Sequence, residues 1–96
     1  MIHRPTKAIA AAENALELSF TDEGKFRSYI AISQSYRAKN RHTEALKHST
    51  KASELADRMM YVGDKPNLGG GVKRLAIAYN EMALANLQLK QVSHAA

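Results

Sequence analysis

The residues that interrupt regular backbone structure are few in this chain and lie far apart. Proline occurs only at Pro5 and Pro66, and the five glycines are confined to Gly24, Gly63 and positions 69–71. The segments between these breakers are long, which suits helices better than strands. They carry apolar residues at helical spacing, and none shows the alternation of a strand. The sequence therefore predicts an all-α protein.

The positions of the breakers divide the chain into about four helices. Asn40 tolerates left-handed backbone and is expected to end the second of them. We predict, in chain order, a helix over residues 6–20, a helical hairpin over 25–62, a loop over 63–71 and a segment over 72–96 whose last residues open a further helix. With 96 residues in total, a single domain over 1–96 is expected.

Charge and composition indicate a globular domain and exclude several kinds of site. The formal net charge is +5, 45% of the residues are hydrophobic and 24% are charged, which is typical of a globular domain. The chain contains no cysteine, so disulfides, thiol nucleophiles and thiolate metal sites are excluded. No stretch approaches the roughly 20 apolar residues of a membrane-spanning helix. We expect a cytoplasmic protein, with the nucleus as the alternative, and no association with membranes.

A pattern of residue types recurs along the chain. Its complete copy has a large residue, an aliphatic–small pair and an aromatic residue on one helix, then two alanines and a leucine on the next: Tyr29, Ile32, Ser33, Tyr36, Ala45, Ala52 and Leu55. The fourth segment repeats the beginning of the pattern and the first segment repeats its end. The matching residues are Tyr79, Met82 and Ala83 in the fourth segment, and Ala8, Ala15 and Leu18 in the first.

At these residues the sequence resembles the tetratricopeptide repeat family, whose unit is a helix–turn–helix of about 34 residues. The resemblance implies an α-solenoid fragment of antiparallel helical hairpins. Residues 6–20 would be the second helix of one unit, 25–62 a full unit, and 72–96 the first helix of a further unit. The repeated residues would pack the helices together, because small side chains let two helices approach closely. An irregular bundle of three or four helices is the structural alternative.

The family resemblance also implies a function, that of a scaffold module for protein–protein interaction. The first helix of each unit would line a concave groove that takes a partner peptide or helix. The side chains that packing leaves free for such contact are Arg27, Ile30, Gln34, Arg37, Ile77, Asn80, Glu81, Leu84 and Gln88. Ordinary solvated helix faces are the alternative interpretation. The exposed faces of the end helices also suggest self-association.

One specialised partner of the family does not fit. Some members hold the carboxylate end of heat-shock chaperones with a clamp of Lys, Asn and Arg. In this sequence Ala31 and Glu81 occupy positions where that clamp needs polar or basic side chains. The protein or peptide partner therefore stays unidentified.

A basic stretch raises nucleic-acid binding as the alternative function. It comprises Arg37, Lys39, Arg41, His42, Lys47, His48 and Lys51. Such charge can neutralise phosphates. However, helical spacing spreads these groups around the axis, and Glu44 and Glu54 lie close enough to offset some of them. Nucleic acid is therefore the less favoured partner, and an acidic protein or a solvated face explains the stretch as well.

The sequence contains no residue pattern that indicates a catalytic, cofactor or metal site. The glycine run at 69–71 precedes a helix but has neither the spacing nor the preceding strand of a phosphate-binding loop. Glu44 and His48 are one helical turn apart, yet two ligands do not make a metal site. We predict a protein that is not an enzyme, with no cofactor and no metal.

Overall fold

The computed structural model describes residues 5–62, 65–66 and 70–95. Four helices make up most of this part of the chain: α1 (Pro5–Leu18), α2 (Asp22–Ala38), α3 (His42–Arg58) and α4 (Gly70–Ala95). The prediction of an all-α protein with about four helices is confirmed.

The start of α2 is fixed by a side-chain cap. Thr21 has extended backbone, and its hydroxyl oxygen accepts a hydrogen bond from the backbone N–H of Gly24 at 3.0 Å. This bond satisfies one of the N–H groups that a helix start leaves without a partner. Asp22 and Glu23 fill the first turn, where their charges interact favourably with the positive end of the helix dipole.

The end of α2 forms a left-handed turn at Asn40, as the sequence predicts. Asn40 has a φ of 62°. Its N–H donates to the carbonyl of Arg37 at 3.0 Å, and the N–H of Arg41 donates to the carbonyl of Tyr36 at 2.9 Å. These two bonds are those of a Schellman motif. The motif turns the chain back within three residues, so that α3 starts beside α2.

The third helix ends earlier than the sequence predicts. We expected it to continue to Val62, but α3 ends at Arg58, so that expectation is wrong. Tyr61–Val62 (β1) instead pairs antiparallel with Lys65–Pro66 (β2), with Tyr61 opposite Pro66. Tyr and Val suit extended backbone, and the pairing replaces the hydrogen bonds that a longer helix would have made. Within the predicted loop over 63–71, Lys65–Pro66 is therefore a strand, and positions 70–71 belong to the next helix.

The fourth helix is longer than expected at both ends. It begins at Gly70 and continues unbroken to Ala95, so the further helix expected before residue 96 does not open within the described residues. Neither proline nor glycine follows Gly71, so no residue type interrupts the helix. At its start, a Cβ on Gly71 would lie 2.7 Å from the Met60 sulfur. Glycine at this position lets α4 approach the end of α3.

Each helix packs mainly against its neighbour in the sequence, and α2 also contacts α4 directly. The helices α2 and α3 are antiparallel, since Ser33 contacts Ala45 near one end of the pair and Asp22 contacts Arg58 at the other. The helices α2 and α4 run in the same direction, because Glu23 contacts Arg74 and a more distant residue of α2, Gln34, contacts Glu81. This is the order that stacked helical hairpins require.

The core lies where α2, α3 and α4 meet. Its buried apolar cluster consists of Phe26, Ile30, Ala52, Leu55, Ala56 and Ala78. Ala45 and Ala52 are fully buried, and their small side chains allow α2 and α3 to pack closely. At this contact the Ser33 hydroxyl donates a hydrogen bond to the backbone carbonyl of Ala45 at 2.8 Å, which satisfies a polar group buried between the two helices.

Candidate functional site

The parallel helices α2 and α4 enclose a groove of about 370 Å³. Its floor is apolar and is formed by Phe26, Ile30 and Ala31 from α2 and by Ile77 from α4. Phe26 and Ile30 belong to the core, whereas Ile77 is 39% exposed. The groove therefore offers an apolar surface that is continuous with the core beneath it.

The rim at one end of this groove is charged. Arg27, Lys73 and Arg74 supply three cations, and Glu23 supplies the one carboxylate. Glu23 Oε1 accepts a hydrogen bond from Arg27 Nε at 3.1 Å, and its other oxygen accepts one from Arg74 Nε. Two of the cations thus share a single carboxylate, and the rim has an excess of positive charge.

These contacts determine the protonation of Glu23. Burial raises the pKa of its carboxyl group, but the hydrogen bonds and charges of Arg74 and Arg27 outweigh that effect. The net result is a pKa below the ordinary glutamate value. The carboxylate is therefore ionised at neutral pH, and it holds α4 beside α2 through Arg74.

A second link between the two helices lies along the groove. The Glu81 side chain is only 6% exposed. Its Oε1 atom accepts a hydrogen bond from Gln34 Nε2 at 3.1 Å, and Arg37 Nη2 lies 3.2 Å from its Oε2 atom. A buried carboxylate requires such partners, because an unpaired charge away from water is costly. Glu81 therefore fixes the separation of the helices and is not a free groove side chain.

Beyond Glu81 the space between the helices opens again into a hollow of about 190 Å³. Arg37, Leu84 and Gln88 line it together with Asn40 and His42 from the turn that begins α3. This end hollow is more polar than the groove. His42 is 8% exposed and Arg37 already pairs with Glu81, so less of its lining is free to bind a partner.

The residues that the sequence assigns to a groove are brought together. Seven of the nine line these two spaces, namely Arg27, Ile30, Gln34 and Ile77 in the groove and Arg37, Leu84 and Gln88 in the end hollow. Glu81 lies between them. Asn80 is exposed and lines neither space. Glu23, Lys73 and Arg74 also line the groove but were not predicted, because their position there depends on how α4 aligns with α2.

The residues expected to pack the repeats differ in burial from one helix to another. In α2 and α3 they are inside: Ile32, Ser33, Ala45, Ala52 and Leu55 are buried, and Tyr29 and Tyr36 are half-buried. In α4 only Met82 is half-buried, while Tyr79 and Ala83 are exposed. The described part of α4 buries Ala78, Glu81 and Ala85 instead. The physical reason is that α3 and α2 cover one side of α4 only.

Two side chains of the basic stretch, His48 and Arg41, pack against tyrosine rings within the protein. His48 stacks on the Tyr36 ring at 5.4 Å between centroids and lies 6.2 Å from the Tyr29 ring. Arg41 lies 5.3 Å above Tyr36 and pairs with Glu44. These contacts tie α3 to α2. The sequence pattern does not predict this stack, since it depends on the register of α3 against α2.

The described residues contain neither a metal-binding cluster nor a membrane-spanning helix. Within residues 5–62, 65–66 and 70–95, no group of three histidine or acidic side chains is placed to hold a metal ion. In the same part of the chain, no helix is both long and apolar enough to cross a membrane.

No family model matches this sequence, and no match is found among curated proteins or solved structures. The resemblance to the tetratricopeptide repeat family stays a prediction that rests on the residue pattern.

Proposed function

We propose that this chain is a protein-interaction module of the tetratricopeptide type, which binds a peptide or helix of a partner protein in the groove between α2 and α4. The observation that carries the proposal is the chemistry of that groove. Its apolar floor is open to solvent beside Ile77, and its rim has three cations to one carboxylate. Binding sites for peptides commonly combine an apolar floor with a few placed polar groups.

The same chemistry defines the partner segment. It would place an apolar side chain over Ile77 and Ala31 and an acidic side chain against Lys73 and Arg27. Lys73 is exposed and the Arg27 side chain is 78% exposed. Exposed ion pairs contribute little to stability, so Arg27 can exchange Glu23 for a partner carboxylate at small cost.

We further propose a cytoplasmic or nuclear location. A chain without cysteine has no need of an oxidising compartment. Nucleic-acid binding is the competing function, and the structure favours it less. In the basic stretch, Arg37 pairs with Glu81, Arg41 with Glu44, and Lys51 lies over Tyr29.

Selection of peptides from a displayed random library tests the proposal. We expect the wild-type chain to enrich peptides that carry an apolar residue next to acidic residues. A selected peptide, titrated into isotopically labelled protein, should shift the backbone resonances of α2 and α4 around the groove. The variants Ile77→Lys and Lys73→Glu should each weaken binding at least tenfold, because they remove the apolar contact and reverse the rim charge.

The matched control is Lys47→Glu, which makes the same charge change at an exposed position of α3 outside the groove. It should bind the peptide nearly as well as the wild type. Equal weakening by Lys47→Glu and Lys73→Glu would show that only net charge matters. Tight, salt-dependent binding of DNA or RNA, with no peptide enriched, would replace the proposal by the nucleic-acid alternative.

A further inference from the structure

The side of α4 that faces away from the groove is apolar and exposed. Val72, Tyr79 and Leu87 are 48%, 51% and 51% exposed, and Ala76 and Ala83 between them are exposed as well. These five residues recur every three or four positions and form one stripe, the α4 outer face. None of them lines the groove or the end hollow.

The helix at the other end of the fold has a similar surface. Ala11 and Ala15 are exposed and Leu18 is 66% exposed. Their spacing of four and three residues places them on one side of α1, the α1 outer face. The buried Ile9 lies off this side and belongs to the part of α1 that packs inward. The fold therefore carries an uncovered apolar face on each of its two end helices.

The contact between α2 and α3 indicates which kind of surface each of these two faces can pack against. By the repeated pattern, Tyr79 and Ala83 of α4 correspond to Tyr29 and Ser33 of α2. Tyr29 is half-buried and Ser33 is 1% exposed, because α3 covers them. The residues of α2 that α3 buries thus have exposed counterparts on α4.

The same comparison can be made between the α1 outer face and the residues of α3 that pack against α2. Ala15 and Leu18 of α1 correspond to Ala52 and Leu55 of α3, which are 0% and 7% exposed where they pack in the core. Ala11 corresponds to His48, which contacts the Tyr29 ring. The α4 outer face and the α1 outer face are therefore the two halves of a contact that the chain already forms once, between α2 and α3.

We infer that a second copy of this chain covers these faces, with the α1 outer face of one copy packed against the α4 outer face of the next. Tyr79 would lie over Ala11 and Ala15, as Tyr29 lies beside His48. Because the two surfaces differ, the contact is heterologous, and each copy keeps one free face for a further copy. Neither face belongs to the groove, so the inference does not rest on the proposed function.

Charge favours this pairing over contact between two α4 helices. The described exposed charges of α4 are Lys73 and Lys90, so two such helices would repel each other. The described exposed charges of α1 are Lys7, which lies one turn before Ala11 on the α1 outer face, and Glu13 and Glu17, which lie off that face. Over these residues α1 has one cation and two carboxylates, whereas α4 has two cations, so a second copy meets less repulsion through α1 than through α4.

Sedimentation velocity of the full chain, with two blocking variants, tests the inference. The wild-type average mass should rise with concentration from the monomer value of 10.6 kDa to beyond that of a dimer. Ala15→Arg blocks the α1 outer face and Tyr79→Glu blocks the α4 outer face, so each variant alone should remain a monomer. An equimolar mixture of the two should form a dimer that grows no further, since one intact face of each kind remains.

Ala10→Arg is the matched control, because it adds the same side chain to α1 at a position equivalent to the exposed Lys47. This variant should associate like the wild type, and circular dichroism should show all variants to be equally helical. A wild-type chain that stays monomeric up to its solubility limit overturns the inference. So does an Ala15→Arg variant that still dimerises by itself, which would indicate pairing of two α4 helices.

Discussion

Arg37 of α2 and Glu81 of α4 form an ion pair with its carboxylate end inside the fold: Nη2 lies 3.2 Å from Oε2, and the Glu81 side chain is 6% exposed. The Arg37 side chain is 33% exposed, so the pair is desolvated mainly at the acid. Together with Gln34 it sets the distance between the two helices that form the groove. The stability of this ion pair and the shape of the groove are therefore linked.

Removal of the cation from this pair should destabilise the fold. In Arg37→Ala the Glu81 carboxylate loses its charged partner while its side chain stays buried, and leaving a buried charge unpaired costs several kcal/mol at full burial. Because Arg37 is partly exposed, we expect a smaller loss of about 1–3 kcal/mol. Urea unfolding followed by circular dichroism measures it as a lower midpoint at an unchanged slope.

The double variant Arg37→Met/Glu81→Met is the control for that experiment. It replaces both charged groups by apolar side chains of similar length, and such replacements of buried pairs are often neutral or stabilising. Its unfolding midpoint should lie above that of Arg37→Ala. If both variants lose the same stability, the ion pair is not what holds the helices at this point.

The second prediction concerns pH and Glu23. Its folded-state pKa lies below the ordinary value, which is about 4.3 for a glutamate in an unfolded chain. The carboxylate therefore stabilises the fold fully above that unfolded value, and the contribution is lost as the pH falls through the lower folded pKa. The stability difference between the wild type and Glu23→Gln should accordingly be largest near neutral pH and disappear in acid.

Direct titration checks the cause of this shift. The carboxyl carbon resonance of Glu23 should titrate below the ordinary range, and in Arg74→Gln its midpoint should move upward because a hydrogen bond and a charge are lost. If the Glu23 midpoint is the same with and without Arg74, the contact across the groove does not stabilise the carboxylate.

Local signals in the sequence were sufficient to predict four helices but not where each helix begins and ends. The turn at Asn40 depends only on neighbouring residues and was placed correctly, whereas Gly24, Gly70 and Gly71 lie in the first turns of α2 and α4. Tyr61 and Val62 continue the apolar spacing of α3, so the sequence pattern alone fits a longer helix. Their pairing with Lys65–Pro66 is a contact between segments, which helical periodicity does not report.

For the candidate groove, too, some properties could be predicted from the sequence and others depend on contacts between helices. Ile77 and Gln34 were placed on its surface by the resemblance to the repeat family, together with the helical spacing that leaves them free of packing. Glu81 was placed there too, but whether a glutamate on a helix is solvated or buried depends on partners 44 and 47 residues away in the chain. The exposure of Tyr79 likewise depends on whether another helix covers α4. Both properties follow from how the helices pack, not from the residue pattern of one helix.

The left-handed turn at Asn40 gives a third prediction. At its φ of 62° a β-branched side chain clashes with the backbone, whereas glycine does not. Asn40→Val should lower the free energy of unfolding by about 1–2 kcal/mol, and Asn40→Gly should leave it nearly unchanged. Thermal unfolding of the two variants measures the difference. Equal melting temperatures would mean that the turn relaxes to another conformation without cost.

The last prediction concerns the adjacent glycines that start α4. A Cβ added at Gly71 would lie 2.7 Å from the Met60 sulfur and 3.1 Å from the Met60 Cα. The side chain can move, but the backbone atom moves only with the end of α3. Gly71→Ala should therefore destabilise the protein by about 1–3 kcal/mol, the usual cost of overpacking, even though alanine is the better helix former.

Gly70 provides the matched control, since the three atoms nearest to a Cβ there all belong to the Arg74 guanidinium group, with 2.8 Å to the nearest nitrogen. That end belongs to a flexible side chain and can move aside. Gly70→Ala should therefore be neutral, or slightly stabilising through helix propensity, by less than about 1 kcal/mol. Urea unfolding of both variants compares them directly. A Gly71→Ala protein as stable as Gly70→Ala would show that α4 does not need close approach to Met60, and that the contact between the two helices adjusts.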